Sequence, residues 1–548
     1  MSSAPTSVPR AEADAAARYR AEGWWGDTTL GETLARHAVE RTDAAAYVTA
    51  TERVTWGELD RAATVVAEAL AGLGLDRGDR VAVMVPDTAM VHVAFHALQR
   101  AGLVTMGIGT RAGDAEVAHL AGRSGARALL TVDALRGRRT SELVEVARAA
   151  GAPLDHHVVL PDALPAVAAQ IQVDGRPATP GVLSPTLALD PDELFLLNST
   201  SGTTGLPKCV MHTQNRWIAY HRMALEAGAF GDDEVFMSLL PAPFGFGLWT
   251  AHFTPTLLGC PTVVMERFDP DAALDLIERE RVTVLCCVST QFIMLLNAQA
   301  ERPRDLSSLR SMFTGGEAVP FQRAADFEQT TGASVLQFYG SNETGALSCT
   351  TTRDDREHRL TTAGRTIDAM HVRLFDPETG VDITGQGRPG QPGCRGPVTC
   401  LGYWADDDAN ASLLTDDGWM LMGDIVEIDA DGYLTVVGRT SDFIIRGGKN
   451  ISAPAVEAEV GTHPAVAMVA AVAWPDPVFG ERVCVYVELR AGATLDLDGL
   501  VAHLRERGVT TEWFPERLVV VDELPRSSGG KVAKGELRVD AERRAAAT

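Results

Sequence analysis

The sequence predicts an α/β protein with a large amino-terminal domain of layered, largely parallel sheets, a barrel-like β-rich subdomain and a small α+β carboxyl-terminal domain. First, helical and strand-like patterns alternate, as in 120–131, 274–288 and 321–338, which is typical of parallel sheets covered by helices. Second, turns rich in Asp, Gly and Pro separate short strands after about residue 350, which indicates an antiparallel or barrel-like subdomain. Third, 548 residues are too many for one compact core.

The same patterns place the domain boundaries. We expect a polar leader at 1–27 that packs only in part. An amino-terminal domain should follow at 28–441, with its β-rich part at about 350–441. The carboxyl-terminal domain is expected at 442–548, where strand and helix patterns alternate again.

Several elements within these domains are clear from the pattern of apolar residues. Apolar side chains recur at helical spacing over 59–70, and the apolar run at 80–85 indicates a buried strand. Short strands are expected at 371–375 and 432–437. The apolar run at 465–474 is too short to cross a bilayer, so we interpret it as another buried strand.

Composition excludes several classes of function. The formal net charge of −24 argues against binding to nucleic acid or to an anionic membrane as the main function. Any phosphate-bearing ligand must therefore be bound by local positive groups. The first residues lack the apolar core of a signal peptide. Eight scattered cysteines form no Cys-x-x-Cys pair, so we expect reduced thiols in a cytoplasmic protein, with neither a zinc site nor a disulfide framework.

The clearest functional signal is a glycine- and hydroxyl-rich loop that follows an apolar strand at 194–197. It runs from Ser199 to Lys208 as Ser-Thr-Ser-Gly-Thr-Thr-Gly-Leu-Pro-Lys. Backbone N–H groups near glycines wrap phosphate oxygens, hydroxyls add donors, and a lysine adds positive charge. A surface linker is the alternative, but a linker needs neither the preceding strand nor the final Pro-Lys. The common nucleotide P-loop differs, because it ends in Gly-Lys-Ser/Thr.

This loop resembles the signature of the adenylate-forming superfamily, which contains acyl-CoA and aryl-CoA ligases, free-standing adenylation domains and luciferases. Further segments resemble that family's motifs in the same order, over about residues 28–540. They are Gly315-Gly-Glu-Ala318, Tyr339-Gly-Ser-Asn-Glu343, Gly390-Gln-Pro-Gly-Cys-Arg-Gly-Pro397 with Gly402-Tyr-Trp404, Trp419-Met-Leu-Met-Gly-Asp424, Gly438-Arg-Thr-Ser-Asp442 with Gly447-Gly-Lys-Asn-Ile451 and Glu457, and Pro525-Arg-Ser-Ser-Gly-Gly-Lys531.

The resemblance implies an enzyme that activates a carboxylic acid with ATP and Mg²⁺ as an acyl-AMP and then transfers the acyl group to coenzyme A. It implies catalytic roles for Lys208, Glu343 and Lys531. Glu343 would hold the metal, and Lys531 would bridge the carboxylate and the α-phosphate. The implied nucleotide-binding residues are Ser201, Gly202, Thr203, Thr204, Gly205, Gly316, Glu317, Ala318, Tyr339, Gly340, Asn342, Asp424 and Arg439.

The resemblance also implies a mobile carboxyl-terminal domain. That domain would rotate about a hinge at Asp442 after the first half-reaction. Rotation would move Lys531 out of the site and bring in Gly447 and Gly448. Glycines at these positions leave room for a narrow tunnel that admits the thiol.

The chemistry of the individual side chains agrees with these roles, although each has a purely structural alternative. Glu343 offers the oxygen ligands that Mg²⁺ prefers, or it is a surface carboxylate in a turn. Asp424 has two oxygens for two ribose hydroxyls, or it caps a turn. Tyr339 stacks on adenine or packs in the core. Arg439 contacts the ribose or a phosphate, or it forms a weak surface ion pair.

The organic part of the acid is expected in a pocket at the segment from Phe244 to Trp249 and near Gly340 and residues 345–347, where aromatic residues and glycines occur together. Such a mixture indicates a roomy apolar cavity, with ordinary core packing as the alternative. We therefore expect an aryl, alicyclic or polycyclic acid. The predicted lining residues are Phe244, Phe246, Gly247, Gly345 and Ala346.

Several positions depart from the family's pattern. Cys209 replaces a common glycine and Asn342 a common threonine, while Phe244, Gln391 and Met422 replace His, Glu and Thr. Two interpretations stay open: neutral variation, or adenylation that is slow relative to thioester formation. The function could accordingly be that of a CoA ligase, of a free-standing adenylation enzyme that loads a carrier protein, or of a protein that mainly uses a supplied acyl-AMP.

Overall fold

The structure is a computed structural model. It describes residues 8–164, 170–199, 207–316, 319–439, 443–446, 449–526 and 532–546.

Seventeen α-helices are described. They are α1 Ala13–Ala21, α2 Leu30–Glu40, α3 Trp56–Ala71, α4 Ala89–Arg100, α5 Asp114–Ser124, α6 Thr140–Ala149, α7 Gln214–Gly228, α8 Gly245–Gly247, α9 Thr254–Leu258, α10 Pro270–Glu280, α11 Ser289–Glu301, α12 Phe321–Thr331, α13 Arg356–Thr361, α14 Asp407–Leu413, α15 Ala453–Val460, α16 Leu497–Glu506 and α17 Lys534–Ala546. A π-helix at Leu248–Phe253 joins α8 to α9, and 3₁₀ turns occur at Pro185–Leu187 and Thr511–Trp513.

The described strands number twenty-nine. They are β1 Ala45–Val48, β2 Arg53–Thr55, β3 Arg80–Met84, β4 Val104–Gly107, β5 Ala128–Thr131, β6 Ala134–Leu135, β7 Arg138–Arg139, β8 His156–Val159, β9 Gln172–Val173, β10 Arg176–Pro177, β11 Leu194–Ser199, β12 Cys209–Thr213, β13 Phe236–Ser238, β14 Thr262–Val264, β15 Val284–Cys286, β16 Ser311–Gly315, β17 Ser334–Ser341, β18 Gly345–Cys349, β19 Arg365–Thr366, β20 His371–Phe375, β21 Gln391–Arg395, β22 Met420–Leu421, β23 Asp424–Ile428, β24 Leu434–Arg439, β25 Phe443–Arg446, β26 Lys449–Ser452, β27 Val466–Asp476, β28 Gly480–Leu489 and β29 Arg517–Val521.

Two large sheets form the amino-terminal part of the protein. One has nine strands in the order β19-β18-β17-β16-β15-β13-β14-β1-β2, and the other has eight in the order β10-β9-β8-β5-β3-β4-β11-β12. The interior strands pair in parallel, while antiparallel strands lie at the ends of each sheet. This arrangement confirms the predicted α/β class, because parallel interior strands are buried between helices.

Local sequence explains why the first long helix forms where the apolar spacing predicts it. Thr55 and Glu58 form a capping box at the start of α3, which satisfies two backbone N–H groups that have no partner inside the helix. Leu59, Val66 and Leu70 are buried on one face, and that face packs against α4. The apolar strand that follows is β3, with Val81 to Met84 buried.

The β-rich part consists of small antiparallel sheets. β20, β21 and β22 form one, and β23 and β24 form another. A bridge between Gly390 and Val426 joins them. Leu374, Ile383 and Leu434 are buried with Val426 in a small core of their own, as the short strands between turns predict.

The carboxyl-terminal part is a five-stranded sheet covered by helices on both faces. β27 and β28 form its long central pair, and β29 lies parallel to β28. Val456 of α15 and Leu500 of α16 pack in the core on one face. Leu537 and Ala541 of α17 pack in the core on the other face. The apolar run at 465–474 is therefore a strand, as predicted.

The described part of the leader packs more closely than expected. Tyr19 and Trp25 are buried at 8% and 6% exposure. Trp25 Nε1 donates a 2.9 Å hydrogen bond to the carbonyl oxygen of Pro397, and Gly26 exchanges hydrogen bonds with the side chain of Asn215. These two aromatic side chains attach a segment of mostly polar composition to the rest of the protein. Among the described residues, no helix combines the length and apolar character needed to cross a membrane.

The burial of Trp25 predicts that this segment contributes to the free energy of unfolding. Trp25→Ala should lower the free energy of unfolding by about 3–5 kcal/mol, because a buried aromatic side chain and its hydrogen bond are lost. Chemical denaturation followed by circular dichroism measures this. Val39→Ala is the control, since Val39 is 81% exposed. Equal stabilities of the two variants would show that the segment is only loosely attached.

Candidate functional site

The candidate site lies where several strands end. The carboxyl ends of β11, β16 and β17 are Ser199, Gly315 and Ser341. In open α/β sheets, ligands bind outside the carboxyl ends of the strands. Asn342 Nδ2 donates a 3.0 Å hydrogen bond to Asn198 Oδ1, which joins the end of β11 in one large sheet to the turn after β17 in the other.

Part of the predicted site lies outside the described residues, and the roles predicted there stay predictions. These residues are Ser201, Gly202, Thr203, Thr204, Gly205, Glu317, Ala318, Asp442, Gly447, Gly448 and Lys531. Arg439 belongs to β24, where it is the register partner of Asp424, and its role also stays a prediction.

Glu343 lies in a turn between β17 and β18 that hydroxyl groups hold in place. Ser341 Oγ accepts hydrogen bonds from the backbone N–H groups of Glu343 and Thr344, at 3.2 and 3.1 Å. Thr344 Oγ1 accepts one from the N–H of Ser341 at 3.0 Å. The N–H of Cys400 donates to the carbonyl oxygen of Glu343 at 2.8 Å. The backbone that carries the Glu343 carboxylate is therefore fixed.

A buried arginine that the sequence analysis did not single out contacts the same turn. Arg216 of α7 is 1% exposed. Its Nη2 donates to the carbonyl oxygens of Asn342 and Glu343, and its Nε donates to that of Val398. Its Nη1 contacts His212 Nδ1. Burial lowers the pKa of Arg216 from its usual value. Despite this burial, its Nε, Nη1 and Nη2 atoms each have a polar neighbour.

Tyr403 is a second residue to which the sequence analysis gave no role. Its hydroxyl donates a 2.7 Å hydrogen bond to Glu343 Oε1. Lys208 Nζ lies 4.7 Å from the centre of its ring, within the range of a cation–π contact. Burial and the Glu343 carboxylate raise the pKa of Tyr403, so the phenol stays protonated and donates. One tyrosine thus contacts both of the predicted catalytic side chains that are described.

These residues fit a magnesium ion bound together with a nucleotide. Among the described residues, no group of three or more His, Cys, Asp or Glu side chains could hold a metal by itself. Mg²⁺ needs no such cage, because it commonly takes one or two carboxylates, waters and the phosphates of a substrate. Glu343 offers one carboxylate beside Lys208, which suits an ion that arrives with phosphate oxygens.

Two predicted nucleotide-binding side chains contact each other. The hydroxyl of Tyr339 donates a 2.8 Å hydrogen bond to Asp424 Oδ2. Asp424 is only 5% exposed, so its carboxylate is held at the start of β23. Gly316, which follows β16, has φ of +78°, a conformation that favours glycine. Tyr339, Asp424 and Gly316 therefore lie at or near strand ends, and their contacts with a nucleoside stay predictions.

An aromatic cluster lies next to these strand ends. Trp249 is 1% exposed and is surrounded by four other rings at centroid distances of 5.1 to 5.4 Å. Phe246 stacks on it, whereas Phe313 and Phe338 meet it edge to face. Phe246 is one of the predicted lining residues, and Trp249 ends the same predicted pocket segment. The members of this aromatic cluster are Tyr220, Phe246, Trp249, Phe313 and Phe338.

The predicted pocket residues divide into two kinds. Phe244 and Phe246 are half-buried and precede the π-helix. Gly247 and Gly345 instead allow close packing: an added Cβ would lie 2.2 Å from the Pro241 carbonyl oxygen or 2.5 Å from Val398. Ala346 is buried. The expectation that these glycines open a roomy cavity is therefore not met, since backbone atoms occupy that space.

Cys209, one of the departures from the family pattern, occupies an ordinary strand position. It begins β12 and pairs with Ser199 of β11, and its φ is not positive. A side chain there causes no backbone strain. Burial raises the pKa of the Cys209 thiol to about 12, so the thiol stays neutral. The backbone at Cys209 therefore gives no reason to expect slow adenylation.

Comparison with family models identifies the family of this chain. The family model for AMP-binding enzymes matches residues 34–404, and the model for their carboxyl-terminal domain matches residues 455–531. The chain belongs to the AMP-binding enzyme family. It is therefore an ATP-dependent, AMP-forming ligase. Lys208 and Glu343 lie within the first matched range, and Asp424 lies between the two ranges.

Three relatives in this family align with nearly the whole chain. The medium-chain fatty-acid–CoA ligase of Escherichia coli K12 is 30% identical over 96% of this chain and 93% of its own. The 2-hydroxy-7-methoxy-5-methyl-1-naphthoate–CoA ligase of Streptomyces carzinostaticus is 33% identical over 97% and 96%. The salicyl-AMP ligase/salicyl-S-ArCP synthetase of Mycobacterium tuberculosis H37Rv is 33% identical over 95% and 92%.

In this AMP-binding enzyme, a half-buried aspartate anchors the segment that leads to the aromatic cluster. Asp87 Oδ1 accepts a 2.6 Å hydrogen bond from the N–H of Ala242. Burial raises the pKa of the Asp87 carboxyl to about 7, and the hydrogen bond only partly opposes this rise. Pro243 packs against Gly107 of β4, where an added Cβ would lie 2.9 Å from Pro243 Cβ. A hydrogen bond at Ala242 and close packing at Pro243 thus fix the position of this segment.

The raised pKa predicts how stability depends on pH. Between about pH 4 and pH 7 the unfolded chain ionises Asp87 while the folded protein keeps it protonated, so stability contributed by this group falls as pH rises. Asp87→Asn keeps an acceptor for Ala242 and removes the charge. The variant should gain about 1–3 kcal/mol relative to the native chain between pH 5 and pH 8.

Thermal unfolding at both pH values measures this difference. Asp162→Asn, which changes an exposed carboxylate, is the control and should show no such trend. A gap between Asp87→Asn and the native chain that does not change with pH would mean that Asp87 is ionised throughout.

Proposed function

We propose that this protein is a CoA ligase for an aryl carboxylic acid. The observation that carries the proposal is the aromatic cluster, whose members Phe313 and Phe338 lie in the strands that end at Gly315 and Ser341. Aromatic side chains offer ring faces and ring edges, and both make favourable contacts with a further aromatic ring. A ring bound against this cluster would place its carboxylate toward the Glu343 turn, Tyr339 and Asp424.

The family and the relatives make the chain an ATP-dependent, AMP-forming carboxylic acid–CoA ligase, with ATP, Mg²⁺ and coenzyme A as its cofactors. Adenylation brings an anionic carboxylate onto an anionic phosphate, so the site must neutralise and position charge. In our proposal Glu343 holds the metal, Lys208 and Lys531 supply positive charge, and Asp424 and Tyr339 hold the nucleoside. A bound magnesium ion would neutralise phosphate charge.

The relatives bear on two separate questions: which class of acid the enzyme activates, and which thiol receives the acyl group. A naphthoate ligase and a salicyl-AMP ligase both act on aryl acids, which supports the acid class proposed here. The salicyl enzyme loads a carrier protein, so a carrier protein is the second candidate for the thiol. A fatty-acid ligase at similar identity makes the medium-chain fatty acids the main competing substrates.

One assay tests the proposal. The enzyme is incubated with ATP, Mg²⁺, coenzyme A and a panel of benzoates, naphthoates, alicyclic acids and medium-chain fatty acids, and acyl-AMP and acyl-CoA are both measured by mass spectrometry. We expect acyl-CoA from an aryl acid. Preference for a fatty acid would contradict the acid class, and acyl-AMP that coenzyme A does not consume would favour a carrier protein.

The two half-reactions should separate by mutation. Lys531→Ala should reduce acyl-AMP formation by about 100-fold or more yet spare attack of coenzyme A on pre-formed acyl-AMP, because one positioned charge serves only the first step. Gly448→Trp should do the reverse, since a side chain would fill the thiol tunnel. Single-turnover assays of each half-reaction measure both effects, and equal losses in both half-reactions would contradict this division.

The Asp424 assignment predicts a loss of nucleotide affinity. Asp424→Ala should weaken AMP binding by about 1–3 kcal/mol, the cost of leaving polar groups without hydrogen-bond partners. Calorimetric titration with AMP measures it. Asp162→Ala serves as the control, since Asp162 is exposed and far along the chain. An unchanged affinity for AMP would show that Asp424 does not bind the nucleotide.

A further inference from the structure

We propose that Tyr403 is a positioning residue that keeps Glu343 and Lys208 apart and aimed at the metal–phosphate group. This inference rests on the proposed roles of Glu343 and Lys208. Its evidence is independent of them, because it comes from the contacts of Tyr403 itself. The tyrosine touches neither the reacting carboxylate nor the phosphate in this proposal and acts through its two neighbours.

The backbone around Tyr403 is built onto the strand that follows Lys208. The N–H of Trp404 donates to the carbonyl oxygen of Cys209 at 2.8 Å, and the N–H of Met211 donates to that of Gly402 at 2.9 Å. Val210 and Tyr403 form an antiparallel bridge. The segment 401–404 therefore extends the sheet beside β12, and this pairing sets the position of the Tyr403 ring relative to Lys208.

A side-chain amide clamps the same residue from the other side. Asn410 Oδ1 accepts from the N–H of Tyr403 at 2.7 Å, and Asn410 Nδ2 donates to its carbonyl oxygen at 2.9 Å. Gly402 has φ of +102°, and an added Cβ there would lie 2.7 Å from Asn410 Oδ1. Both backbone polar groups of Tyr403 are thus satisfied by one asparagine, which only a glycine at position 402 allows to approach.

The hydroxyl and the ring of Tyr403 then act on opposite charges. The hydroxyl donates to Glu343 Oε1 at 2.7 Å, while the ring lies 4.7 Å from Lys208 Nζ. A carboxylate and an ammonium group this near to one ring attract each other strongly in a partly buried site. The hydrogen bond holds one carboxylate oxygen on the tyrosine. Without it, Glu343 would be free to turn toward Lys208 and neutralise the charge that both groups must present to the metal and the phosphates.

Tyr403→Phe isolates the hydroxyl, because the ring under Lys208 remains. We expect adenylation, measured by pyrophosphate exchange, to fall about 10- to 100-fold, as for loss of a hydrogen bond to a charged group. Thioester formation from pre-formed acyl-AMP should change by less than about twofold, since that step no longer involves the β- and γ-phosphates.

A binding measurement gives a second readout that does not depend on turnover. Calorimetric titration with α,β-methylene-ATP is carried out in Mg²⁺ and again in EDTA. Tyr403→Phe should lose about tenfold in affinity with Mg²⁺ and little in EDTA, because the hydroxyl aligns the carboxylate that holds the metal. Equal losses in the two buffers would overturn the proposal and indicate a general packing defect.

The chain offers a closely matched control. Tyr433 is also buried, its hydroxyl donates to Asp354 Oδ1 at 2.7 Å, and Arg365 lies 4.8 Å from its ring centre. Tyr433→Phe therefore removes the same chemical group from the same kind of environment elsewhere in the molecule. It should leave both half-reactions and the metal dependence of nucleotide binding unchanged.

Glu343→Gln separates this inference from the proposed function. If Glu343→Gln loses the Mg²⁺-dependent part of nucleotide affinity and Tyr403→Phe keeps it, the metal site stands and the role of Tyr403 is wrong. If both variants keep the Mg²⁺-dependent part of the nucleotide affinity, the assignment of Glu343 as the metal ligand is itself wrong. Loss in both variants, with Tyr433→Phe unaffected, supports the positioning role.

Discussion

The architecture of the site depends on one buried guanidinium group. Arg216 reaches from α7 to the turn after β17 and to the chain near Val398, and it donates to carbonyl oxygens in both. Backbone carbonyls in a buried turn need donors, and a planar guanidinium supplies several in a fixed arrangement. The turn that carries Glu343 and the segment that leads to Tyr403 are both hydrogen-bonded to Arg216. This shared contact sets their positions relative to each other.

Close backbone packing complements that polar contact. At Gly340 an added Cβ would lie 1.8 Å from the carbonyl oxygen of Gly345, so the hairpin formed by β17 and β18 has no room for a side chain at this position next to its turn. Gly345 itself has φ of +69° and packs against Val398. The glycines of this motif therefore serve to bring Glu343 near Arg216 and Tyr403, rather than to leave space for a ligand.

The sequence predicted the parts of the protein that periodicity and spacing encode. The alternating layers, the strand before the glycine-rich loop and the small antiparallel sheets are all present, because period and turn composition are local properties. The contacts of Arg216, Tyr403 and Trp249 are not local. Each joins segments more than a hundred residues apart or packs several elements together, so local patterns do not predict which residues it contacts. A capped helix bearing Asn410 soon after Gly402-Tyr403 was the one available signal for the clamp.

The same contacts explain how a strongly acidic chain presents positive charge to anions. Its net charge of −24 repels both a carboxylate and a nucleotide over long distances. Arg216 is buried and, among the described residues, hydrogen-bonds to carbonyls and His212 rather than to a carboxylate, so its charge is not cancelled by an ion pair. Screening by water is weak at such a depth. A fixed cation behind the Glu343 turn therefore contributes a positive local potential that does not depend on the placement of any flexible surface lysine.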